Sequence, residues 1–450
     1  MTPTMEELND PNSPSESPPR PRLSAWQLVI GLGIVSLTTD MVSDGSASVG
    51  GALLGQLGAS AVLVGLITGA AGAIALILRL VTGPWVDRTG NYWGFTMAGY
   101  AVTAISVPLL ALTPVLGAAA LVVAAALILI ERTGKAVRAP AKTVLLADAA
   151  GAVGRGKGFG VHKLLDQIGA FSGPLIVAAV AALTGVLWPA FLVLIVPAAV
   201  AIVLLAVLRR RVPDTTIYAP EAERSAARPE RAAVRGPARL LAGLAAIEPA
   251  TRGTFLLFGA FAALTTFGLI SFGLISFHLD RAGLVPLPAI PLVYAAGMAA
   301  AAIAAVVVGW AYDRSASAVL FVVPVLTAFV PSLALGSGVV LVFVGVVLWG
   351  GATGIQDSTI KALVADLIPS AQRGTAYGWF AVFQGAASFA GAAVAGALYG
   401  NLVLLSILVV AAQLAAIVVL IIVRRRVRRA TAAVAGGTAG AAGATAAPIE

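Results

Sequence analysis

The sequence predicts an all-α polytopic membrane protein, with twelve transmembrane helices in two pseudo-symmetric six-helix bundles. Three observations carry this. The 450-residue chain is 59% hydrophobic and 11% charged, with a mean hydropathy of +0.97. So few polar groups could not cover a water-facing globule, which excludes a soluble enzyme. The apolar residues gather into about twelve runs, each near the ~20 residues a helix needs to cross a bilayer. The third observation is that the second half of the chain repeats features of the first.

In the first half the apolar runs lie near residues 25–49, 61–81, 93–112, 115–136, 157–182 and 186–208; in the second, near 252–277, 287–311, 317–334, 337–361, 375–398 and 401–423. Basic residues set the orientation. Arg20 and Arg22 precede the first run, Arg209, Arg210, Arg211, Arg224, Arg228, Arg231, Arg235 and Arg239 crowd the centre, and Arg424, Arg425, Arg426, Arg428 and Arg429 follow the last. An even number of spans puts all three clusters on one side, which the positive-inside rule makes cytoplasmic. The expected organisation is a disordered cytoplasmic tail over 1–24, a six-helix bundle over 25–208, a cytoplasmic linker over 209–250, a second bundle over 251–424 and a disordered cytoplasmic tail over 425–450. The linker reads either as a solvated tether or as a basic stretch on anionic lipid. Residues 1–22 lack a basic n-region, so no cleaved signal peptide is expected.

The net charge of +9 is distributed as topology signals rather than as a nucleic-acid surface. With no Cys and two His, neither a metal site nor a cofactor is expected. No phosphate-binding G-x-x-x-x-G-K-S/T loop occurs, so energy must come from a gradient.

The repeat is an ordered series. Gly83-Pro-Trp-Val-Asp87-Arg88 returns as Gly309-Trp-Ala-Tyr-Asp313-Arg314. Leu145-Leu-Ala-Asp148, Arg155-Gly156 and Phe159-Gly160 return as Leu363-Val-Ala-Asp366, Arg373-Gly374 and Tyr377-Gly378 at a constant offset of 218 positions, which Gly173 and Gly391 also keep. Leu37-Thr38-Thr39 is matched by Leu264-Thr265-Thr266. Two parallel six-span halves joined by a long linker resemble the major facilitator superfamily of secondary transporters. Gly83-x-x-x-Asp87-Arg88-x-Gly90 is similar to its signature G-x-x-x-D-R/K-x-G-R, with Asn91 at the last position; the second copy keeps Gly309, Asp313 and Arg314. Gly169-x-x-x-Gly173-Pro174 resembles part of the G-x-x-x-G-P-x-x-G-G motif of prokaryotic drug:proton antiporters, with Val177 and Ala178 in place of the last glycines. The same small residues equally suit close helix packing.

Charges inside spans are the candidate working residues, because each costs at least ~2.5–3.5 kcal/mol at the bilayer centre. Asp40 and Asp44 share one face of the first span and form a candidate proton or cation site. Gly45, Ser46 and Ser48 follow, and predict a locally irregular segment lining a cavity. Alternatively, Asp44 sits near the outer water and Asp40 caps a break. Glu131 and Arg132 end the fourth span, where Arg132 and Gly134 loosely resemble the family's fourth-helix R-x-x-x-G motif, whose Arg is implicated in proton transfer; a structural ion pair is the other reading. Lys135, Arg138 and Lys142 are expected to snorkel to the near edge or to join a gate. His162, Lys163 and Asp166 open the fifth span, with His162 and Asp166 at i, i+4, as either a functional or a structural group. Asp357 and Lys361 form a further i, i+4 pair.

The family resemblance implies a cytoplasmic gate in which Asp87 faces the region of Arg373 and Gly374 across the two halves, and Asp313 mirrors it near Arg155 and Gly156. Gly83, Arg88, Gly90, Arg138, Asp148, Gly309, Arg314 and Asp366 complete that set. The resulting expectation is a monomeric transporter of the cell membrane with both termini cytoplasmic. It would export a small organic molecule in exchange for protons by alternating access. Uptake or exchange of an organic anion bound by Arg132, Arg138 and Lys163 is the alternative, and a non-transporting membrane sensor or scaffold is the reading from another class.

Overall fold

The computed structural model describes residues 23–219, 249–360 and 373–444. Among these, eleven helices are long and apolar enough to cross a bilayer, and a shorter apolar helix makes a twelfth span. In the first half they are α1 (Ala25–Gln56), α2 (Ala61–Thr89), α3 (Tyr92–Val115), α4 (Gly117–Val153), α5 (Arg155–Thr184) and α6 (Trp188–Arg211). The second half has α7 (Thr251–Arg281), α8 (Ala289–Ser315), α9 (Val319–Ala334), α10 (Val339–Ser358), α11 (Arg373–Ala397) and α12 (Leu402–Ala444). The end of the bundle where α1 begins and α12 leaves is the near end; the opposite end is the far end.

α1 begins at a capping box in which Ser24 accepts from the Gln27 backbone at 3.2 Å and the Gln27 side chain returns the bond at 2.8 Å. It then stays helical for its whole length, which corrects the irregular segment expected at Gly45–Ser48. The local hydroxyls fold back on the helix instead: Ser48 Oγ donates to the Gly45 carbonyl at 2.6 Å, and Thr39 to that of Val35 at 2.8 Å. The break lies at the equivalent depth of α7, which divides into α7a, ending at Gly268, and α7b (Phe272–Arg281). Polar groups freed there find partners inside the protein, as a bilayer requires. Trp349 Nε1 donates to the Ile270 carbonyl at 2.9 Å, Gln413 Nε2 to that of Leu264 at 3.0 Å, and the Ser271 side chain caps Leu274 N. α4 runs on through Pro140 to Val153, well past the end expected near 136. α12 likewise continues to Ala444 through residues assigned to a tail, in a stretch rich in alanine, the strongest helix former. Residues 1–22, the linker from 220 to 248 and 445–450 lie outside the described residues.

The repeat is visible as packing. α1 lies against α5, and a Cβ on Gly169 or Gly173 would overlap the carbonyl oxygens of Leu37 or Met41. In the second half Gly391 of α11 meets the Phe267 carbonyl in the same way. Gly169, Gly173 and the following Pro174 thus seat one helix on another at backbone distance. Between the halves, α2 packs on α11 and α7b on α1. Gly51 meets the Gly273 carbonyl, Gly65 that of Ala392, and Gly396 that of Ala61, so the halves touch backbone to backbone at the far end. Gln56 Nε2 adds a hydrogen bond to Asp280 at 3.2 Å there.

Gly173→Ala and Gly391→Ala should each lower the unfolding midpoint of the purified protein, by roughly the 1–3 kcal/mol of an overpacked interior. Gly156→Ala, where an added Cβ meets open space, should leave the midpoint unchanged. Thermal unfolding in detergent checks all three.

Candidate functional site

α1, α4 and α5 bring most of the sequence-predicted charges into one buried network. Glu131 is 5% exposed and has both oxygens engaged: Oε1 accepts from Ser43 of α1 at 2.7 Å, and Oε2 meets Arg132 Nε at 3.1 Å. Two turns closer to the near end, Arg138 is 4% exposed, donates to Thr103 of α3 at 2.6 Å, lies 4.7 Å over the Tyr100 ring and stands 3.8 Å from Asp40. This corrects the expectation that Arg138 snorkels to the near edge. Its aliphatic stem does not carry it to an edge, because Tyr100, Thr103 and Asp40 give its charge partners inside the bundle. Lys142 also turns inward, donating to Ser36 at 2.7 Å and standing 3.8 Å from Asp166. Ser36 in turn bonds Tyr100 at 3.2 Å.

On α5 the predicted His162–Lys163–Asp166 group forms around its carboxylate. His162 Nδ1 is 3.7 Å and Lys163 Nζ 3.8 Å from Asp166. His162 is buried, with Nε2 unpartnered, whereas the Lys163 side chain is 67% exposed. Neither Lys163 nor Arg138 lines the central cavity, so of the three cations considered for an organic anion only Arg132 does.

That cavity, about 250 Å³, lies between the halves. The first half contributes Ser43, Ser46, Thr68, Glu131 and Arg132, and the second Ser271, Phe272, Tyr294, Trp349 and Ser388. Two polar bonds cross it. Tyr294 of α8 donates its hydroxyl to Asp44 of α1 at 2.8 Å, and Thr68 of α2 pairs with Ser271 at 2.8 Å. Phe272, Tyr294 and Trp349 form an aromatic wall, with Phe272 and Tyr294 edge to face at 4.7 Å and Phe272 and Trp349 5.5 Å apart. Asp40 and Asp44 therefore share a face of α1 but have different partners, one within its own half and one across the interface.

Sequence reasoning missed Tyr294, Trp349, Phe272 and Ser43. A signal was present in the two aromatics with a polar atom, which need a hydrogen-bond partner when buried in apolar spans. Ser43 carries no such mark, since hydroxyls are common in spans and bond their own helix.

The gate set is placed in part. Asp87 and Arg88 are exposed at the near end, and Gly90 ends their helix in a left-handed conformation (φ 63°) that glycine supplies without strain. Gly83 has open space around it. Asp148 accepts from the Thr215 hydroxyl beside Arg209. Gly309, Asp313 and Arg314 fall within α8 and Arg373 begins α11, but their side chains are outside the described set, as are Asp366 and Lys361 entirely. Asp357 lies within electrostatic range of Arg79 of α2.

The family model described as Major Facilitator Superfamily matches residues 32–392 and 285–449. An uncharacterized protein of Mycobacterium tuberculosis is 43% identical over 395 residues, covering 86% of this chain and 91% of its own length. Among solved structures, a point mutant of the nucleoside transporter NupG superposes with a TM-score of 0.68 at 14% identity, over 87% of this chain and 99% of that one. A bacterial homolog of the human lysosomal transporter Spinster, inward-facing and unoccupied, gives 0.62 at 15% identity, over 89% and 96%. At such identities the likeness to these two structures is one of fold.

Tyr294→Phe should loosen the far-end contact, since a hydrogen bond to a charged group contributes ~1.5–3 kcal/mol. The chain has no cysteine, so a single Ala47→Cys on the cavity wall is a clean reporter. Its labelling by a membrane-impermeant maleimide added at the far end should speed up in the Tyr294→Phe background.

Proposed function

The chain belongs to the major facilitator superfamily of multi-pass membrane transporters, and on that premise we propose that it exports a small organic compound in exchange for protons. The near end, flanked by the arginine clusters, faces the cytoplasm, and the membrane is the cell membrane. A single charge moving through 100 mV supplies ~2.3 kcal/mol, enough to drive a useful concentration ratio.

The observation that carries this reading is the Tyr294–Asp44 hydrogen bond, 2.8 Å long, at the seam between the halves. A carboxylate accepts a stronger hydrogen bond than the neutral acid does. Proton loading at Asp44 therefore weakens a far-end tie, and proton release remakes it. The halves then rock about the cavity, which opens to alternate sides. Asp40 is held by Arg138, and the Glu131–Arg132 and Lys142–Asp166 pairs keep the rest of the network charge-balanced. Arg132 on the cavity wall gives the organic-anion reading its support, with uptake or exchange as the direction.

In proteoliposomes, Asp44→Asn should abolish proton flux triggered by the transported compound, and Asp40→Asn should reduce it less. Lumenal pH under an imposed gradient reads both. Undiminished flux in Asp44→Asn would rule Asp44 out as the coupling site.

A further inference from the structure

The cavity holds polar groups whose capacity is spent and others whose capacity is not. On its wall Ser43 donates to Glu131, Tyr294 to Asp44 and Trp349 to the Ile270 carbonyl, while Thr68 and Ser271 satisfy each other. Both Glu131 oxygens are taken. Three groups on the wall remain. Ser46 and Ser388 make no side-chain hydrogen bond among the described residues, and Arg132 has Glu131 as its one bonded partner, through Nε. A guanidinium carries five N–H donors in a planar fork, so its terminal nitrogens keep most of theirs. The guanidinium on the wall therefore keeps most of its donors, whereas each oxygen of the wall carboxylate, Glu131, already has a protein partner.

The Phe272–Tyr294–Trp349 wall lines the same cavity, with rings 4.7 to 6.3 Å from one another. At about 250 Å³ the space lies just under the ~300–1,000 Å³ usual for small-molecule sites, which limits the occupant to roughly one ring and its substituents. A site that combines free donors with a flat apolar surface is complementary to a planar oxyanion on a small aromatic body.

We propose that the central cavity binds a small aromatic carboxylate, held by the Arg132 guanidinium with Ser46 and Ser388 beside it and stacked on Phe272 and Trp349. This deepens the reading of the cavity as the substrate site and is independent of the coupling ion and of the direction of transport. An aromatic cation is the opposite case. It would fit the same rings but would have to take Glu131 from Arg132 and Ser43, or Asp44 from Tyr294.

Isothermal titration of the purified full chain in nanodiscs with benzoate, benzamide and benzylamine separates these cases without any variant, since the three share a ring and differ in charge. Benzoate should bind, and about tenfold or more tighter than benzamide or benzylamine, the ratio expected for a charge-assisted hydrogen bond. Arg132→Gln should lose that preference and Arg132→Lys should recover part of it. No binding of benzoate, tighter binding of benzylamine or benzamide, or an unchanged benzoate affinity in a folded Arg132→Gln protein would each overturn the proposal. Proton flux is scored separately. Arg132-dependent benzoate binding without proton flux supports this proposal and removes the coupling, whereas proton-coupled transport of another compound without benzoate binding does the reverse.

Discussion

A bilayer interior supplies no water to charges, so those buried in this protein have to be answered by other residues of the protein. That constraint organises the first half. Asp40, Glu131, Arg138, Lys142 and Asp166 lie on three different helices, and each stands within ion-pair distance of an opposite charge. Removing one partner would leave a buried charge unmatched, a cost of several kcal/mol. The charges therefore fix how α1, α4 and α5 sit against one another, and the glycines at 169 and 173 let α5 come close enough to α1 for them to meet. The second half has no comparable network among its described residues; it contributes rings, a broken helix and the Tyr294 hydroxyl.

This asymmetry in a symmetric frame gives the protein its working parts. Both halves keep the helix-on-helix contact at Gly173 and at Gly391. At the depth where the first half places Asp40 and Asp44 on a continuous helix, the second breaks its helix at Gly268–Ser271 and exposes Ser271 to the cavity. The charged half supplies the buried ion pairs, and the aromatic half supplies a surface. Tyr294 reaches from one to the other and gives Asp44 its one side-chain hydrogen bond among the described residues.

Much of the fold was legible because its cause is one-dimensional. Apolar run length gives spans, and the constant offset from Asp148 to Asp366 gives the repeat. Where the chain broke was not legible, because the break depends on Trp349 and Gln413 reaching α7 from helices distant in sequence. The site divides the same way. Intramembrane acids declared themselves, since each needs a reason to be there. Arg138 was misplaced because spacing from the end of a span cannot tell a side chain that snorkels out from one that turns in towards Tyr100. The aromatic wall went unseen because rings in an apolar span look like core until the second half is folded against the first.

In the proposed cycle, the charge on Asp44 controls contact between the halves at the far end. Spin labels at Ala118→Cys and Ser337→Cys, exposed positions at the start of α4 and in the α9–α10 connection, would read it as a distance across the interface. Measured by double electron–electron resonance in nanodiscs, the distribution should gain a longer component at acidic pH, and Asp44→Asn should show that component at acidic and alkaline pH alike. The same distribution at both pH values in the unmutated protein, or an unaltered pH response in Asp44→Asn, would contradict it.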